Sequence, residues 1–257
     1  MARSPQLGVT GITDLDNLRT LLSVSLADYL TAASTYVRES PALNASQKKV
    51  GQILLSQALG RALHCELSLQ LPGIGNVIVG ERMVGGALRT VNADVSEIHP
   101  TDGLRLAVEI KPVNLAVGRA IWNRFGDIRT FAVNLHLKFP FAVVGGVLAI
   151  PSYEWAAARQ QAPPSEADNQ AELQAIGQGL IKKPTEGLVR KAIARLVRAG
   201  GRRTEGDAPH LLEAIAVVFY DPDTGLLSPD IPPPGSRLRW DEFVTDLARA
   251  YEARFEV

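Results

Sequence analysis

Asp94, Glu109 and Lys111 are the residues of this chain whose types and spacing point most directly to chemistry. Glu109 and Lys111 lie one residue apart at the end of a mainly apolar run, Leu104 to Ile110, where unpaired charge is costly. Strand side chains alternate between faces, so these two point the same way. Asp94 sits in the preceding β-prone run, and the segment between, His99-Pro100-Thr101-Asp102-Gly103, has turn chemistry, which predicts an antiparallel hairpin. Folding about Thr101 brings Asp94 opposite Val108 or Glu109; in the second register it joins Glu109 and Lys111 across the ladder. Two carboxylates that converge repel each other unless something positive lies between them, and Mg²⁺ is the natural occupant of an oxygen-lined site. On a phosphodiester such an ion polarises a phosphoryl oxygen and lowers the pKa of a bound water, while the lysine orients that water and offsets developing charge. The expected chemistry is hydrolytic. Glu97 and Asp102 belong to the same hairpin and compete with Asp94 for the role of first acid.

The elements that must position these residues follow from hydrophobic period. Leu15, Leu18, Leu21, Leu22 and Leu26 recur at helical spacing, and Ile53, Leu54, Ala58 and Leu63 do so again after Pro41, with Ser46 as the expected N-cap of the second helix. From Gly73 to Lys111 short β-prone runs divided by Gly and Pro predict a meander, among them Asn76 to Val79, Thr90 to Val95 and Leu104 to Ile110. Leu115 to about His136 has helical period, and Phe141 to Ile150 reads as a buried strand, so strand, helix and strand form a crossover unit. Gln160 to Gln174 is expected to be a surface loop opening a helical insertion that reaches about Arg198. Leu212 to Tyr220 is a further buried strand, Asp221 to Gly225 a turn, and Trp240 to Phe255 a closing amphipathic helix. With neither an internal repeat nor a clear linker, the chain is expected to form one domain: helical over 1–72, a core at 73–150, an insertion at 160–205 and a closing part at 210–257.

Composition removes several function classes. Hydrophobic residues make up 46% and charged residues 21%, which argues against disorder and coiled coil. One cysteine, Cys65, forms no disulfide within the chain, and with four scattered histidines it makes no zinc cluster, so any metal must be held mainly by oxygen. His64, His136 and His210 have no Ser or Cys partner at recognisable spacing, and the glycine pairs Gly73/Gly75 and Gly85/Gly86 lack the setting of a phosphate loop. The N-terminus leads into polar sequence and no apolar run reaches about 18 residues, so a soluble, cytoplasmic protein without membrane attachment is expected.

The 27 basic and 27 acidic side chains cancel, so any attraction for nucleic acid must be local. Residues 182–203 hold eight basic residues against the single acid Glu186. Lys191, Arg195 and Arg198 share a helical face, with Val189, Ala192, Ile193 and Leu196 as the apolar stripe, a pattern able to neutralise DNA phosphates. An exposed helix carrying solvated charge has the same pattern. In the crossover helix, Arg119 and Asn123 follow the acidic strand closely enough to meet a scissile backbone, while Trp122 and Phe125 are expected to anchor that helix on the sheet.

Asp94 together with Glu109-Ile110-Lys111 resembles the motif of the PD-(D/E)xK nuclease superfamily, in which an acid on one strand is followed by Glu or Asp, any residue and Lys on the next. The likeness covers about residues 74–150 and the late strand near 212–220. It implies an α/β (α+β) fold that is restriction-endonuclease-like, with a central mixed β-sheet flanked by helices. It also implies a metal held by both carboxylates and the carbonyl of Ile110, and a homodimer acting on double-stranded DNA as a restriction enzyme does. Ala93 stands where the motif often has proline. The rival expectations are a DNA-binding or assembly module of the same fold without catalysis, and a repair or recombination nuclease that reads structure.

Overall fold

The computed structural model describes residues 24–157, 175 and 177–255. The leucines at 15, 18, 21 and 22 and the loop expected over 160–174 lie outside these residues. Two helices open the described chain: α1 (Leu26–Glu39), capped by Ser25 with Asp28 answering from the third position, and α2 (Ala45–Gln70). The cap of α2 is Asn44, not Ser46: Asn44 accepts from the Gln47 amide while the Gln47 side chain returns to the Asn44 amide. Asn44 wins because its third follower can close this reciprocal box.

A six-stranded mixed sheet forms the centre, in the order β1 (Val77–Gly85), β2 (Thr90–His99), β3 (Gly103–Pro112), β4 (Val143–Pro151), β7 (Ala214–Asp221), β8 (Leu226–Leu227). β1, β2 and β3 form the expected antiparallel meander. Helix α3 (Val117–His136) then carries the chain to β4, parallel to β3, and β7 lies parallel to β4. Every residue of β4 is buried because helices cover both its faces. On one face, α2 and the closing helix α5 (Trp240–Glu252) pack through Leu55, Leu59, Leu63 and Phe243 onto Val95, Val108 and Ile110. On the other, α3 and α4 (Glu186–Leu196) pack through Ile121, Ile128, Val189 and Leu196 onto Ala107, Leu148 and Ile215.

The helical insertion needs correction. Tyr153–Ala157 and Leu180–Pro184 form a separate antiparallel pair, β5 and β6, so Lys182 and Lys183 belong to a strand. The basic helix is only α4; Arg198 falls in the turn beyond its end, and Arg202 is buried. The apolar stripe stands as read, with Val189, Ala192 and Leu196 buried and Ile193 packed beside them.

One strand bends. Ala93 and Val95, two apart on β2, should share a face, yet Ala93 packs with α3 and Val95 with α2. The residue between them is Asp94.

Candidate active site

Two bulges hold Asp94 at the bend. The β2–β3 ladder begins with His99 opposite Gly103 and Ile98 opposite Leu104, then jumps to Glu97 opposite Leu106, leaving Arg105 as an extra residue. Without that residue the ladder would set Asp94 against Val108. With it Val95 faces Val108, so Asp94 stands level with Glu109, the second of the two registers expected from the turn. On the other side, β1 pairs Val79 with Val95 and Arg82 with Ala93, so Gly80 and Glu81 together face the single position of Asp94. Gly80 carries φ +120°, a conformation other residues rarely adopt, which is why a glycine stands in this bulge.

At the bend β2 leaves β3, and a side chain takes over the main-chain pairing. The amide of Ile110 donates to Asp94 Oδ2 at 2.7 Å. Ser56 of α2 donates to Asp94 Oδ1 at 3.3 Å and lies 3.4 Å from the carbonyl oxygen of Ile110. Asp94, Ile110 and Lys111 open onto one depression of about 450 Å³, which also takes in Glu81 and the α2 residues Lys48, Lys49 and Gln52. It sits at the carboxyl end of β3, where the parallel part of an open sheet usually carries its ligand.

Glu109 is buried, at 7% exposure. Its Oε1 meets Lys111 Nζ at 2.6 Å, and its Oε2, also buried, has no hydrogen-bond partner. A bare buried carboxylate oxygen is costly and invites a cation. Burial pushes the Glu109 carboxyl above the usual carboxylate range; Lys111 opposes this, while Asp94 and Asp127 add to it. The Asp94 carboxyl is raised too, first by burial and then by Glu81, against the lowering effects of the Ile110 amide, Lys111 and Ser56. Both acids therefore lie where negative charge is under-compensated, and Lys111 is the cation that both feel.

Glu97 and Asp102 lie elsewhere. Glu97 is buried under α5, accepting from the Tyr251 hydroxyl at 2.8 Å, and Asp102 sits in the exposed hairpin turn paired with Arg105. Among the described residues, no group of three or more His, Cys, Asp or Glu side chains is arranged to hold a metal alone. Asp94 and Ile110 line the depression; Glu109 does not, and its unpartnered Oε2 is enclosed behind Oε1, the oxygen that meets Lys111. Mg²⁺, which keeps several of its waters, fits such a sparse set, and the orphaned Oε2 of Glu109 is the strongest sign of fit.

The charged residues expected to meet DNA divide into two groups. Arg119 and Asn123 line a second depression, of about 620 Å³, along α3. It joins the first through Ala120 and Arg124, which line both. The Arg195 guanidinium lies 4.4 Å over the ring of Trp122 in this wall, bringing α4 to its edge. Lys191 and Arg198 are exposed but make no contact that ties them to the depression. Sequence reasoning missed Ser56, Glu81 and the lysines of α2. An isolated glycine within a β-prone run, Gly80, was the available sign of a bulge beside Asp94; the α2 residues had none, being distant in sequence.

Comparison with known proteins leaves this geometry to stand alone: no family model matches the chain, and no curated protein or solved structure does so.

Proposed function

We propose that this chain is an Mg²⁺-dependent endonuclease hydrolysing phosphodiester bonds of double-stranded DNA, of the restriction-endonuclease-like kind. The observation that carries the reading is the buried, unpartnered Oε2 of Glu109, whose other oxygen meets Lys111, level in the ladder with an Asp94 whose own charge is poorly compensated and which lines an open depression together with Lys111. Asp94, Glu109 and the Ile110 carbonyl are the groups that would hold the cation. Once bound, that ion supplies a Lewis acid and a water of lowered pKa. Lys111, 2.6 Å from Glu109 Oε1 and lining the depression, positions the attacking water and stabilises charge developing on the phosphate. Ser56 and the Ile110 amide fix the Asp94 carboxylate, so little reorganisation is needed when substrate arrives.

The depression that holds this centre continues into the second one along α3, so a strand can run through both, which favours internal cutting over trimming from an end. Arg119, Asn123 and Arg195 supply phosphate contacts on the α3 side, with Lys191 and Arg198 further out. Cutting both strands of a duplex calls for two such centres, so the reading carries a homodimer. No helix among the described residues is long and apolar enough to cross a membrane.

The test is to incubate purified protein with closed circular plasmid DNA, with and without Mg²⁺, and to sequence any ends produced. Metal-dependent linear products with a common end sequence support the reading. Binding without cleavage in Mg²⁺ or Mn²⁺ would make the chain a DNA-binding or assembly module. Cleavage that follows junctions or flaps would make it a repair or recombination nuclease.

A further inference from the structure

We infer that the first turns of α2 form a second DNA-backbone site, in which Lys48, Lys49 and Gln52 hold phosphates on the side of the acids opposite Arg119 and Asn123. The inference rests on the nuclease reading and deepens it by naming a binding wall that the sequence did not point to. Lys48, Gln52 and Ser56 recur at every fourth residue, so they form one line along the helix. All three line the same depression as Asp94. The line ends at the acid itself, through the contact between Ser56 Oγ and Asp94 Oδ1.

Length and charge both suit a phosphate backbone. Eight residues of helix span about 12 Å, the rise of roughly three to four base pairs, so Lys48 meets a phosphate a few nucleotides from the one at the acids. Neither Lys48 nor Lys49 has an acidic partner among the described residues, in contrast to Lys111, Lys182 and Lys183, each of which meets a carboxylate. Ile53, one turn beyond Lys49, also lines the depression and is 46% exposed, an apolar surface for the sugar between phosphates.

The wall is also rigid. Tyr36 of α1 donates its hydroxyl to the Lys48 carbonyl at 2.8 Å, and its ring packs so closely on Gly51 that a β-carbon there has no room. These contacts hold the start of α2 in place before any ligand arrives.

The experiment compares wild type, Lys48→Ala/Lys49→Ala and Lys48→Arg/Lys49→Arg. Binding of a short fluorescein-labelled DNA duplex is measured by anisotropy over a range of KCl, with Ca²⁺ in place of Mg²⁺; circular dichroism checks the fold. The alanine pair should bind more weakly, with a salt slope shallower by about two units, and the arginine pair should restore the slope. If wild type cuts plasmid DNA and the alanine pair keeps its full salt slope, this site is wrong and the nuclease reading survives. If wild type neither binds nor cuts DNA in any of these metals, the nuclease reading falls and this inference with it.

Discussion

Glu213 and the pair Glu109 and Asp94 are largely enclosed carboxylates on or beside different strands of one sheet, and the protein treats them in opposite ways. Glu213, just before β7, is almost fully enclosed, yet both its oxygens are met: Oε1 by Arg202 at 2.9 Å and Arg254 at 2.7 Å, Oε2 by the Val144 amide at 2.8 Å and by His136 at 3.1 Å. Burial pushes its carboxyl up, but His136, Arg254 and the amide outweigh this and hold it below the usual carboxylate range. Glu109 and Asp94, at the carboxyl end of β3, are held above that range with one oxygen left bare. Glu213 ties α3, β4, β7 and the chain beyond α5 together. A fully satisfied carboxylate is a structural tie, whereas an under-satisfied one is a place prepared for a ligand.

The largest effect expected is on activity at Asp94, Glu109 and Lys111. Lys111→Ala should lower the cleavage rate by about 10²–10³-fold or more while leaving the far-ultraviolet circular dichroism and DNA binding nearly unchanged. Full turnover by this variant would remove the lysine from the mechanism. Asp94→Asn and Glu109→Gln should each be as damaging and the double no worse, because a site that has lost one ligand retains little metal for the second change to disturb. Rates measured against Mg²⁺ concentration for all three variants decide this; additive losses would separate the two acids.

Next in size is the stability that Glu213 supplies. Glu213→Gln strands Arg202 and Arg254 against each other in the interior, a loss of about 3–5 kcal/mol and on the order of 10 °C in melting temperature. The pH dependence has a definite sign. Because the folded-state pKa of Glu213 is depressed, its contribution is complete above about pH 4.3 and disappears as pH falls through the lower folded value. Melting curves from neutral to acid pH should show the wild type losing its advantage over the variant there. An equal melting temperature at neutral pH would contradict the satisfied-tie account.

A smaller change is expected at the basic side chains of α4 and the turn beyond it. Neutralising Lys191, Arg195 and Arg198 together should weaken binding and flatten its salt dependence by about three units if each meets one phosphate. Because only Arg195 is seated against the wall of the depression, Arg195→Ala alone should cost more than either of the other single changes. Anisotropy titrations at several salt concentrations check both; an unchanged slope returns α4 to an ordinary solvated surface.

The smallest effect is a gain. Glu109 has a raised folded-state pKa, so below about pH 4 both folded and unfolded forms are protonated and nothing is lost; above it the unfolded chain ionises first and the folded state is penalised. Glu109→Gln should therefore melt at a higher temperature than wild type at neutral pH in the absence of Mg²⁺, and the difference should close near pH 4. A variant that melts lower at neutral pH would mean that the Lys111 contact, rather than burial, dominates this residue.

The amino-acid sequence by itself determined the central strands and the helix that crosses between them. The apolar run ending in Glu109-Ile110-Lys111, the turn at His99 to Gly103, the helical period after Leu115 and the two continuous apolar runs sufficed for a meander, a crossover and buried parallel strands, because period and turn residues act locally. They left open whether Asp94, Glu97 or Asp102 was the first acid. Only the tertiary structure set Asp94 level with Glu109, through the extra residue at Arg105 and the bulge at Gly80 and Glu81, since a one-residue slip moves every side chain to the other face. It also set Ser56, Lys48 and Lys49 beside Asp94 and enclosed Glu213 with His136, Arg202 and Arg254. Those pairings join residues far apart in the chain, and they exist because α2 and α3 pack on opposite faces of one sheet, a consequence of burial summed over the whole molecule that no local spacing records.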